Sequence, residues 1–224
     1  MPDVAPLLPC VEVTPPAPPR AAVIWMHGLG ADGHDFEPIV PQLQLPLPVR
    51  YVFPHAPHRP VTVNGGYVMR AWYDIAAFDL SRGEDAAGIR TSTVQVEALI
   101  ARESRRGIPA RRIVLAGFSQ GGAMALHVGV RHRERLAGIL ALSTYLPLGD
   151  TVSAEATEAN RAVPIFMAHG SEDAVVAPPH ALISRQRLEA AGYAVEWHEY
   201  AMAHAVCPEE IADIRAWLGR VLAE

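Results

Sequence analysis

Ser119 sits at the centre of Gly117-Phe118-Ser119-Gln120-Gly121, a G-x-S-x-G pattern that can raise a serine on a tight turn. The flanking residues supply the context such a turn needs. Ile113-Val114-Leu115-Ala116 reads as a buried strand, and Gly122–Val130 continues as an apolar helix pattern. Glycines two positions before and two after the serine leave room for the chain to reverse and lift the hydroxyl above the helix start. A seryl hydroxyl attacks carbonyl carbon only when a base lies within hydrogen-bond reach and a third group orients that base. A serine that merely caps a helix would look the same locally, so the partners decide between the two readings.

A nucleophile on a strand–turn–helix motif is followed in the chain by its acid and then its histidine. Asp173 lies a few residues past the apolar run Val163–Ala168 and is the candidate acid. Glu172 is the alternative, less favoured because neighbouring side chains leave a loop in different directions. Of the ten histidines, His204 alone both follows Asp173 and falls in a short loop between the last strand and the last helix. His127 and His132 belong in or just after the helix behind the serine, His180 begins a helix, and His198 lies within a strand. His169 ends a strand and shapes its turn. His27 precedes the serine and is assigned to the geometry of its own loop.

That loop, His27-Gly28-Leu29-Gly30-Ala31-Asp32-Gly33, formally contains the dinucleotide pattern G-x-G-x-x-G after a strand. No acidic residue follows the next strand to hold a ribose, and Asp32 and Asp35 would crowd a pyrophosphate. The alternative use is to turn backbone N–H groups toward a developing oxyanion. Neither H-E-x-x-H nor any clustered ligand set occurs, so no metal is expected. Between residues 54 and 91 the sequence has little regular pattern, and so long a connection suggests a pocket wall. Met69, Trp72, Tyr73 and Phe78 are its candidate substrate contacts, with packing inside the loop as the competing role.

The elements that must position these residues follow from periodicity. Ala21–Met26, Arg50–Phe53, Ile113–Ala116, Gly138–Ser143 and Val163–Ala168 are apolar runs, and Tyr193–Tyr200 alternates. Helices are expected near Phe36–Leu43, from Thr91 or Ser92 to about Arg106 with Val94, Ala98 and Ala101 on one face, from Pro178 to about Ala191, and from Pro208 with Ile211, Ile214, Leu218 and Val221 buried. Strands alternating with helices predict an α/β fold with a mostly parallel central sheet and helices on both faces. Residues 1–20 are proline-rich, with Cys10–Thr14 able to form only an edge strand. Residues 21–224 are expected to form a single domain. Half of the residues are hydrophobic, 19% are charged and the net charge is −5, which gives no reason to expect nucleic acid as a partner. Two cysteines make no disulfide framework. With no signal segment and no apolar run long enough to span a bilayer, a cytoplasmic protein without stable membrane insertion is expected.

Five stretches together resemble the phospholipase/carboxylesterase family of small α/β-hydrolases, which includes bacterial carboxylesterases and acyl-protein thioesterases. They are His27–Gly33, Arg70-Ala71-Trp72-Tyr73-Asp74, Gly117–Gly122, His169-Gly170 through Asp173 to Val175-Val176, and His204 with Cys207-Pro208-Glu209-Glu210. The resemblance implies an α/β-hydrolase fold with no large lid domain and no cofactor. It implies Ser119 as nucleophile, Asp173 as orienting acid and His204 as base, with the backbone N–H groups of Leu29 and Gln120 as the oxyanion hole. The implied activity is ester or thioester hydrolysis, and the absence of a basic patch for a phosphate headgroup favours short- to medium-chain uncharged carboxylic esters, with acyl-protein thioester or lysophospholipid hydrolysis as the alternative. A small-molecule ester or thioester is then the expected partner, and the family's many dimers make a second copy of the chain another. Ala203 and Ala205 flank the histidine where the family commonly has other residues, and Ala174 and Ala177 stand where proline is common. None of these changes deletes a chemical group from the triad.

Overall fold

A computed structural model describes residues 7–77 and 83–223. In chain order the strands are β1 (Cys10–Val13), β2 (Ala21–Met26), β3 (Val49–Pro54), β4 (His58–Val61), β5 (Tyr67–Arg70), β6 (Ile113–Phe118), β7 (Gly138–Leu142), β8 (Ile165–Gly170) and β9 (Val195–Tyr200). The α-helices are α1 (Val40–Leu43), α2 (Ala86–Arg105), α3 (Gln120–Gly129), α4 (Val152–Glu155), α5 (Pro178–Ala190) and α6 (Pro208–Val221). Seven strands form one sheet in the order β1-β3-β2-β6-β7-β8-β9. All its pairings are parallel except the edge pairing of β1 with β3, so Cys10–Val13 is part of this sheet.

The apolar strands are buried because both faces are covered. On one face Ile24, Met26, Leu115 and Ile139 pack with Ile89, Val96 and Leu99 of α2 and Met124 and Leu126 of α3. On the other, Val23, Trp25, Val114 and Leu140 pack with Leu43 of α1 and Ile214, Trp217 and Leu218 of α6. The fold is that of the α/β-hydrolases, with no large lid domain among the described residues. The strand order reverses between β2 and β6, and ligands of open α/β sheets bind beyond the strand carboxyl ends at such a switch point. The His27 loop leaves β2 there and Ser119 leaves β6, while the loops after β8 and β9 carry Asp173 and His204.

Two local readings of the sequence change. Residues 54–91 include a hairpin of β4 and β5, turned through Thr62–Asn64 and two left-handed glycines, Gly65 and Gly66. Both strands are short and Pro60 interrupts the donor pattern, so alternation was too brief to read. Helix α2 begins at Ala86, not near Thr91, because Asp85 caps it by accepting the Gly88 N–H at 2.8 Å. Its buried face is Ile89, Ser92, Val96, Leu99, Ile100 and Glu103, whereas Val94 is exposed. Glu103 is fully buried and accepts from Arg50 at 2.8 Å, with Arg102 and Arg106 completing its partners. A carboxylate on the inner face conceals the helix's apolar stripe from a hydrophobicity count.

Candidate active site

The turn at Ser119 depends on contacts that leave no space for side chains. A Cβ at Gly117 would lie 2.2 Å from the Gly121 carbonyl carbon, and one at Gly121 would lie 2.1 Å from the Met26 carbonyl oxygen. Between them Ser119 takes φ 53° and ψ −121°, a strained backbone for a residue with a Cβ. The strain is held by hydrogen bonds. Ser119 N donates to Leu142 O at 2.8 Å, and its carbonyl accepts from Ala123 N at 3.0 Å and Thr144 Oγ1 at 2.6 Å.

Asp173 and His204 come together although 31 residues separate them. Nδ1 of His204 lies 2.6 Å from Asp173 Oδ2, and Oδ1 accepts from the N–H groups of Val175 and Val176 at 2.9 Å each. Asp173 is thus buried and held on both carboxylate oxygens. Glu172 is exposed beside it. His169, buried under the same loop, donates from Nε2 to Val176 O at 2.8 Å, and burial lowers its pKa. The two loops can approach only because residue 170 is glycine, whose Cβ would lie 2.3 Å from Met202 O. The Phe118 ring lies 4.7 Å from the His204 ring and backs it.

Ser119 and His204 open onto one cavity of about 340 Å³, which Leu29 and Gln120 also line. The Leu29 peptide is oriented by His27. Nε2 of that ring accepts the Ala56 N–H at 3.0 Å, which leaves Nδ1 as the donor to Gly28 O at 2.7 Å. Because N–H and C=O of a trans peptide point in opposite directions, holding the Gly28 carbonyl turns the Leu29 N–H the other way. Burial holds the His27 pKa down at about 4, so the ring stays neutral and keeps this tautomer. Gln120 opens α3, where helix geometry leaves the N–H without an intrahelical acceptor. The glycine loop therefore faces the serine, and the helix α1 behind it spans only Val40–Leu43, too short to seat a pyrophosphate.

Of the four residues expected to touch substrate, Met69 lines the cavity. Trp72 and Tyr73 are buried behind it instead. Trp72 Nε1 donates to His27 O at 3.0 Å, and the Tyr73 hydroxyl bonds that of Tyr145 at 2.8 Å. Their backbone clasps the Gln120 side chain: Trp72 N donates to Oε1 at 2.8 Å and Nε2 donates to Tyr73 O at 2.7 Å. These two aromatics brace the nucleophile turn, and their size reflects packing. Phe78 lies outside the described residues. The apolar walls come mainly from Leu29, Met69, Ile75, Val175 and Val176, with Tyr145 and His180 beside them. Of these walls the sequence singles out Met69 as a substrate contact, and the Val175-Val176 pair is an apolar step inside an otherwise polar loop.

The sheet and its strained serine, together with the family and relatives that the chain matches, define a serine hydrolase acting on esters or thioesters. The chain belongs to the phospholipase/carboxylesterase family, whose profile matches residues 9–222. It is 44% identical over 209 residues to acyl-protein thioesterase 1 of Neurospora crassa, covering 88% of this chain and 85% of that one. It is 40% identical over 213 residues to acyl-protein thioesterase 1 of Gibberella zeae, covering 90% and 91%. The crystal structure of Zea mays acyl-protein thioesterase 2 superposes with a TM-score of 0.85 at 29% identity, over 96% of this chain and 99% of that one. Among the described residues no helix is long and apolar enough to cross a membrane.

Proposed function

We propose that the protein is an acyl-protein thioesterase that cleaves the bond between an acyl chain and a cysteine thiol through an acyl-enzyme on Ser119. The observation that carries this reading is the 2.6 Å contact between His204 and Asp173 at the rim of the cavity that contains the strained serine. The names of the fungal relatives support the thioester over the oxygen ester. His204 takes the Ser119 proton as the oxygen attacks the thioester carbonyl, and Asp173 stabilises the imidazolium. The N–H groups of Leu29 and Gln120 hold the oxyanion. His204 then gives its proton to the departing thiol, takes one from water as that water attacks the acyl-enzyme, and returns it to Ser119 as the free acid leaves.

A second reading, a carboxylesterase for short- to medium-chain uncharged esters, draws support from the modest apolar cavity. One comparison separates them. An S-acylated peptide and an oxygen ester of the same acyl group are assayed with wild type and Ser119→Ala. The thioesterase reading expects Ser119-dependent turnover of both, with kcat/KM favouring the peptide thioester by about tenfold or more. A preference for the small oxygen ester favours the second reading, and turnover that survives Ser119→Ala overturns both.

A further inference from the structure

Asp35 lines the same cavity as Ser119 and His204 and has no role in the triad or the oxyanion hole. Its neighbour Phe36 fixes where it stands. The Phe36 ring packs 5.2 Å from Trp25 and 5.5 Å from Phe118, and Phe118 in turn lies 4.7 Å from His204. This run of rings connects the Asp35 segment to His204, the proton donor to the leaving group in the proposed reaction.

The surroundings of Asp35 do not compensate its charge. Among the described residues no cationic side chain makes a salt bridge with it, and the charge that acts on it is a second carboxylate, Asp32. His34 turns to Glu37 at 2.8 Å and also gives its backbone N–H to Asp32. Partial withdrawal from water and Asp32 both raise the Asp35 pKa, so its ionised form is left wanting a counter-charge. The remaining walls are largely apolar and suit an acyl chain. An unpaired anion in an apolar cleft favours a cation there and disfavours an anion.

We propose that Asp35 is a specificity-determining residue, selecting esters and thioesters whose leaving group carries a positive charge close to the scissile bond. This rests on the thioesterase reading and names its substrates more narrowly: acyl groups on cysteines flanked by basic residues, or on small cationic thiols and alcohols.

The test compares S-butyrylthiocholine with S-(3,3-dimethylbutyl) thiobutanoate, in which a neutral tert-butyl group replaces the trimethylammonium. The ammonium also makes thiocholine the better leaving group. The readout is therefore how far a substitution moves the cationic-to-neutral ratio of kcat/KM. Asp35→Asn is expected to lower that ratio by about fivefold, the size of a partly solvated charge pair, chiefly through KM. Asp35→Glu should retain most of the preference, and added salt should shrink it in wild type but not in Asp35→Asn. A ratio that Asp35→Asn moves by less than twofold overturns the proposal. Fluorophosphonate labelling of Ser119 in the same preparations reports separately on the hydrolase site. If wild type neither labels nor turns over either thioester, the hydrolase reading fails and this assignment falls with it.

Discussion

His27 and His204 come from two loops at the same end of the sheet, and those loops treat them in opposite ways. His27 is almost completely buried, both ring nitrogens are engaged by backbone groups, and burial keeps it neutral down to about pH 4. His204 has a 16% exposed side chain, is tied through Nδ1 to a carboxylate and lines the cavity. The first arrangement suits a fixed strut that aims a peptide, the second a group that must gain and lose a proton. In the proposed reaction the same residue type does scaffolding in one loop and chemistry in the other, because His27 is buried among backbone groups while His204 is partly exposed beside a carboxylate.

The sharpest way to break this contrast is to remove each ring. His204→Ala is expected to lower kcat by about 10³-fold or more, since general base and leaving-group acid are lost together. Asp173→Asn should be comparably severe, while Glu172→Gln should have little effect. Steady-state kinetics with one activated ester checks the order, and a larger loss from Glu172→Gln would reassign the acid. His27→Ala should cost less, about 10- to 100-fold in kcat with KM little changed. One oxyanion donor is worth about 10²–10³, and here it is misaimed but still present.

Gln120→Ala sharpens the distinction between a donor and its support. The backbone N–H survives, but Trp72 N and Tyr73 O lose their buried partner. A loss of about 2–4 kcal/mol in unfolding free energy is expected, measured by chemical denaturation, with a smaller effect on kcat than His204→Ala.

The smallest effect is on stability with pH. The folded-state pKa of His27 lies near 4, below the ordinary value near 6.5. The unfolded chain therefore binds a proton first as pH falls, and stability is lost between about pH 6.5 and 4. Glu210, buried in the first turn of α6, is pushed up to about 8 by its burial. Its sign is opposite: the folded state holds the proton longer, so stability declines as pH rises from the ordinary carboxylate range through about 8. Glu210→Gln should flatten the alkaline limb of a Tm–pH curve and leave the acid limb in place, whereas His27→Gln should do the reverse.

The chemistry was more legible in the sequence than the walls around it. Ser119 stood out because its glycines flank it in a fixed pattern between an apolar strand and an apolar helix, and Asp173 and His204 because each follows a strand in the expected order, with Glu172 the one adjacent rival to the acid. The substrate-facing surface is assembled from Asn64, Ile75, Tyr145, Val175 and His180, which come from separate loops and share no spacing. Trp72 and Tyr73 misled because a large aromatic in an irregular segment has the same composition whether it faces a ligand or the core. Only the clasp of Gln120 on their backbone distinguishes the two. The start of α2 was obscured in the same way, since the Asp85 cap precedes an Ala-Ala-Gly turn with no apolar period of its own.

The central claim is that Ser119 is a nucleophile activated by His204 under the control of Asp173. Fluorophosphonate labelling followed by intact mass and peptide mapping tests it most directly. One adduct per chain is expected, on Ser119, absent in folded Ser119→Ala and formed at least about 10²-fold more slowly in Asp173→Asn. An adduct on another residue, or wild-type labelling rates in folded Asp173→Asn, would contradict it.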